Sequence, residues 1–60
     1  MTTYTLTMKN GDVQTIEADK IHTPEGVVQF CRRNPPDSQT RFSTVAEVVT
    51  RNIQRMEETK

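Results

Sequence analysis

The stretch "STVAEVVTRNIQRMEETK", residues 43–60, decides how the rest of the chain is assembled. Thr44 and Glu47 stand at capping-box spacing, where each side chain satisfies a backbone donor at the other position. Val45, Val48, Val49, Asn52, Ile53 and Met56 fall on one stripe with a period of about 3.6 residues. Glu47 precedes Arg51 by one helical turn, the favourable order for an ion pair. Together these features predict an α-helix over residues 44–58. Glu57 and Glu58 oppose the helix dipole, so its last turn should fray. The valines count against a helix, because β-branched side chains lose rotamer freedom there. Alternation of Val49, Arg51, Ile53 and Arg55 is the competing pattern and would make residues 49–56 a last strand. Cap and stripe agree with each other, and the helix is preferred.

The segment before this tail reads as strands. Tyr4, Leu6 and Met8 alternate with Thr3, Thr5 and Thr7, and Asn10-Gly11 marks a turn. Register selects the turn type. A two-residue turn would set Leu6 opposite Thr15 and put Ile16 on the threonine face. A three-residue Lys9-Asn10-Gly11 loop, with Gly11 left-handed, sets Tyr4 opposite Ile16, Leu6 opposite Gln14, and Ala18 on the same face. Only the second keeps the apolar side chains together, so the bulged turn is expected. Thr23-Pro24-Glu25-Gly26 is a second turn. Val27–Arg32 follows as a strand with Val28 and Phe30 inward and Val27, Gln29 and Cys31 outward. Residues 34–39 read as a loop, and Thr40–Phe42 as a short further strand.

The expected fold is α+β: a three- or four-stranded antiparallel β-meander with one C-terminal α-helix across one face, all in one domain over residues 1–60. Its expected core is Tyr4, Leu6, Ile16, Val28, Phe30, Phe42, Val45, Val48, Val49, Ile53 and Met56.

Composition narrows the function classes. Sixty residues with 32% apolar content make a thin core, which favours help from a partner or a second copy. Eight basic and eight acidic residues leave no net field to draw nucleic acid or membrane. One cysteine allows no internal disulfide and no paired-cysteine metal site, which fits a reducing cytoplasm. No apolar run reaches the roughly 18 residues of a membrane span, and the first residues lack the pattern of a secretory signal.

"YTLTMKNGDVQTIEADKI" followed by "GVVQFCRR", residues 4–33, resembles short uncharacterised β-meander proteins of actinobacteria and their phages. The shared features are a strand, a Gly turn, a strand ending near "EAD", and a glycine-led strand with phenylalanine. Such proteins usually end in a strand rather than a long helix. The resemblance implies a small cytoplasmic accessory protein of a phage or mobile element and carries no activity with it.

Catalysis and metal binding find little support. His22 and Cys31 are the only histidine and cysteine, and the expected meander separates them by roughly 13 Å along the strands. No zinc or EF-hand spacing occurs, and no glycine-rich phosphate loop. Glu17 and Asp19 read as a solvated strand face. The expected protein is therefore not an enzyme and takes no cofactor, metal or small-molecule substrate. It is expected to bind another protein or itself, with Arg32, Arg33 and Arg41 as polar contacts and Val13, Val27 and Cys31 as apolar ones. The alternative is nucleic-acid binding through Arg32, Arg33, Arg41, Arg51 and Arg55, against which no exposed aromatics interleave for base stacking.

Overall fold

The computed structural model describes residues 1–59, and the chain is all-β. Its strands are β1 (Thr2–Met8), β2 (Val13–Ala18), β3 (Lys20–His22), β4 (Val27–Arg33), β5 (Phe42–Val49) and β6 (Ile53–Thr59). A 3₁₀ turn, Thr50–Asn52, joins β5 to β6. The strands form two antiparallel three-stranded sheets, ordered β2-β1-β6 and β3-β4-β5. The α+β expectation is thus overturned: no α-helix exists among the described residues, and none lies over the first hairpin.

The physical reason lies in two β-bulges. Phe30 and Cys31 are consecutive on β4 but face Ala46 and Thr44 on β5, so Val45 is the extra residue. Thr7 and Met8 face Arg55 and Ile53, so Gln54 is extra on β6. A bulge moves the inward face by one residue. Ile53 and Met56 therefore both face the core while standing three apart, a spacing a straight strand cannot give and a helix does. Glu47 caps nothing; its Oε2 accepts a 3.0 Å bond from Gln29 Nε2 across the strands. The Glu47–Arg51 pair has no counterpart either, and the described ion pair is Arg55–Glu57 at 2.8 Å. Six of the ten residues 44–53 are Thr, Val or Ile, which suit a pleated sheet.

The first hairpin forms in the expected register. Tyr4 lies opposite Ile16 and Leu6 opposite Gln14. Met8 N–H donates to Asp12 O at 2.7 Å, which encloses Lys9, Asn10 and Gly11 as the loop. Gly11 has φ of 95°. Asn10 Oδ1 accepts from Asp12 N–H at 3.0 Å, an Asx-type turn that sets up the glycine.

Asp19 alone separates β2 from β3, and there the path passes from one sheet to the other. Its N–H donates to Cys31 O at 2.8 Å and its carboxylate accepts from Arg33 N–H at 2.6 Å. At the opposite end the 3₁₀ turn ties both hairpin turns: Lys9 N–H donates to Asn52 O at 2.8 Å, and Thr50 N–H to Gly26 O at 3.0 Å.

Between the sheets lie Tyr4, Leu6, Ala18, Val28 and Phe30, with Ile16, Ile21, Ala46, Val48, Ile53 and Met56 packed around them. Leu6 and Phe30 are fully buried, and the Tyr4 and Phe30 rings meet edge-on with centroids 5.4 Å apart. Three expected core residues are elsewhere. Val45 and Val49 are exposed, and Phe42 is half-buried on the outer side of the second sheet. The unexpected core member is Ala18, on the side its register predicts.

Candidate functional site

Register places the side chains of the second sheet's outer face in rows. Val27 pairs with Val49; His22, Gln29 and Glu47 form the next row; Lys20, Cys31 and Thr44 the next; Arg33 and Phe42 the last. Phe42 is held between two cations, with Lys20 Nζ 4.0 Å and Arg33 Cζ 5.8 Å from its ring centroid. Contacts of this kind contribute about 0.5–1 kcal/mol when exposed.

β5 borders this face, is the longest strand at 8 residues, and has β4 as its only hydrogen-bonded neighbour. Its other edge is unpaired among the described residues. Beside that edge Val45 is 46% and Val49 40% exposed, and Glu47 is the only charged residue in the strand. The bulge at Val45 leaves Ala46–Val49 as the regular part of the edge. β6 also has a free edge, but Arg55, Glu57 and Glu58 guard it with charge.

The β4–β5 connection, residues 34–41, is a built loop. Asn34 Nδ2 donates to Thr40 O at 3.0 Å and to Thr40 Oγ1 at 2.9 Å, while Asn34 Oδ1 accepts from Ser43 Oγ at 2.8 Å. Asn34 N–H donates to Arg41 O at 2.8 Å, and Ser38 N–H to Pro35 O at 3.0 Å. The loop borders an open cavity of about 330 Å³ lined by Arg33, Asn34, Pro35, Pro36, Ser38, Thr40 and Arg41.

The residues singled out from sequence separate into groups. Arg33 and Arg41 share this cavity. Arg32 turns the other way: its Nε donates to Glu17 O at 2.9 Å and closes the corner beside Asp19. Val27 and Cys31 share the outer face of the second sheet, but Cys31 is only 7% exposed and its Sγ lies 4.0 Å from Thr44 Oγ1. Val13, opposite Thr7, is 63% exposed on the outer face of the other sheet, away from Val27. Arg55, also opposite Thr7's strand position, lies on that same far side and is paired with Glu57. Arg51 sits in the 3₁₀ turn. The five arginines of the nucleic-acid alternative therefore do not form one patch.

His22 and Cys31 stand closer than expected. His22 faces Gln29, which makes Cys31 its diagonal neighbour at roughly 7–8 Å between Cα atoms. Glu17 and Asp19 do not share a strand, because Asp19 occupies the corner. No three His, Cys, Asp or Glu side chains converge among the described residues. No helix among them is long and apolar enough to cross a membrane.

Sequence reasoning missed Lys20, Phe42, Val45 and Val49. The signal for Phe42 was its even spacing from Thr44, which a strand reading of residues 42–49 exposes at once. For Val45 no signal existed, since its outward direction depends on the bulge.

Comparison with protein-family models, with curated proteins and with solved structures finds no match to this chain.

Proposed function

We propose that this chain is a non-enzymatic binding protein that engages another protein by strand addition along the free edge of β5. One observation carries the reading: an edge unpaired among the described residues, Ala46–Val49, that bears exposed Val49, follows exposed Val45 and adjoins Val27. Backbone pairing along such an edge supplies affinity, and the side chains beside it supply selectivity. The molecular surface adds support. A 6.9 kDa globule exposes about 4,000 Å² by size scaling, and this chain exposes 4580 Å² in a body of 40 × 25 × 13 Å. That excess belongs to a flat molecule with outer faces to cover. The resemblance of residues 4–33 to proteins of actinobacteria and their phages extends the proposal: a cytoplasmic accessory protein of a phage or mobile element, acting on a host factor.

The test uses the whole chain as bait in an actinobacterial lysate, beside Val45→Lys and Val49→Lys baits, with light scattering on each purified protein. A defined partner captured by the native chain and lost from both variants supports the reading, as does a native dimer that the variants convert to monomer. Capture that survives both substitutions overturns it, and so does a monomer that retains no partner.

A further inference from the structure

We propose that the cavity of the β4–β5 loop is a binding site for a phosphomonoester, independent of the β5 edge. Arg33 and Arg41 line the cavity, and their guanidinium groups are always charged and match phosphate oxygens in geometry; that of Arg33 also lies 5.8 Å from the Phe42 ring centroid. Neither guanidinium has a carboxylate partner within 4 Å among the described residues, where the ion pair is Arg55–Glu57. Asp37 belongs to the loop but does not line the cavity.

The two hydroxyls in the wall are already used as acceptors. Thr40 Oγ1 accepts from Asn34 Nδ2 at 2.9 Å, and Ser38 Oγ accepts from Thr40 N–H at 3.4 Å. Neither hydroxyl proton is given to another protein atom among the described residues, so both remain available to a ligand. Three of the wall's carbonyl oxygens are occupied as well: Pro35 O accepts from Ser38 N–H, Thr40 O from Asn34 Nδ2, and Arg41 O from Asn34 N–H. The cavity thus presents spare donors, the requirement of an acceptor-rich anion.

The loop is also preorganised. Asn34 ties its two ends through three side-chain bonds, and Pro35 and Pro36 restrict the path between them. Binding then orders little that is not already ordered. About 330 Å³ accommodates a phosphoryl group and the carbon skeleton that bears it. The remaining arginines decide between one phosphate and a chain of them. Arg32 is turned onto Glu17 O, and Arg55 is paired on the outer face of the other sheet. Lys20 stands beside Arg33 on the Phe42 ring, but Arg32 and Arg55 are directed elsewhere, so the two arginines of the cavity fit a single phosphomonoester better than a polyanion.

The experiment is an NMR titration of the ¹⁵N-labelled chain with inorganic phosphate, O-phosphoserine and ribose 5-phosphate. The expected result is saturable shifts of the Arg33, Ser38, Thr40 and Arg41 signals at millimolar ligand. Arg41→Gln, at an exposed position, weakens binding about ten-fold or more while the other signals stay in place. Asp37→Asn and Arg51→Gln leave the affinity unchanged. Tighter binding of phosphoserine identifies a modified protein as the source, and tighter binding of ribose 5-phosphate a nucleotide or sugar; either supports the site. Shifts that fail to saturate overturn the proposal. So do shifts that survive Arg41→Gln and Arg33→Gln, or a loss produced equally by Arg51→Gln.

Discussion

The contact between Tyr4 and Phe30 is where the two sheets are held face to face, and it can be tested as a pair. Their ring centroids lie 5.4 Å apart with planes at 62°, and Phe30 is fully buried. Phe30→Leu keeps an apolar side chain but removes the aromatic edge. The loss comprises a shape term of about 1 kcal/mol and an edge-to-face term of about 0.5–1.5 kcal/mol. A chain of this length has a total stability of roughly 3–9 kcal/mol, so a loss near 2 kcal/mol is large yet survivable. With a urea slope of about 1 kcal/mol per molar, the midpoint falls by roughly 2 M. Tyr4→Leu loses the same edge-to-face term. The double variant should therefore be less destabilised than the sum of the singles by about 0.5–1.5 kcal/mol. Urea unfolding of the four proteins, followed by circular dichroism, measures this difference directly. Additivity within about 0.3 kcal/mol refutes the stacking of β1 on β4.

Three further outcomes are expected. Gly11→Ala should lower stability by about 1 kcal/mol, or the melting temperature by about 4–8 °C, although a methyl group there meets nothing within 4 Å, because φ of 95° strains any side chain; an unchanged melt would show that the loop relaxes. Glu47→Thr should change stability by less than about 0.5 kcal/mol in a strand, whereas loss of a helix cap would cost about 1 kcal/mol; thermal melts distinguish the two. Asn34→Ala should cost about 1 kcal/mol and speed amide exchange at Ser38 and Thr40; unchanged exchange would mean that the prolines alone hold the loop.

What could be read before folding follows the reach of local chemistry. The first hairpin was legible to the residue because Asn10-Gly11 and the alternation of Tyr4, Leu6 and Ile16 admit only one consistent register. Val28 and Phe30 faced inward as expected for the same reason. The tail was not legible, because bulges are responses to a neighbouring strand and leave no mark on their own segment. Val45 and Gln54 look like ordinary positions, yet each shifts the phase of everything after it, and the result imitates a helical stripe. Arginine pairing was equally hidden. Arg32 and Arg33 are neighbours in sequence, but alternation sends one to the Glu17 carbonyl and the other to the loop cavity. The loop's arginines were visible as candidates; the Asn34 bonds that shape their surroundings were not.

The pairing of β1 with β6, in which Thr3 faces Thr59, joins segments far apart in sequence. The β1–β2 hairpin and the β3-β4-β5 sheet are local units that can form while the chain is still emerging. The far flank of Tyr4 and Leu6 has no cover until Met56 has left the ribosome. β1 is thus made before the strand that completes its sheet, and the long sequence separation across that pair makes its closure the slow event in folding. It also means that anything fused ahead of Thr2 and anything fused behind Thr59 would leave the molecule side by side.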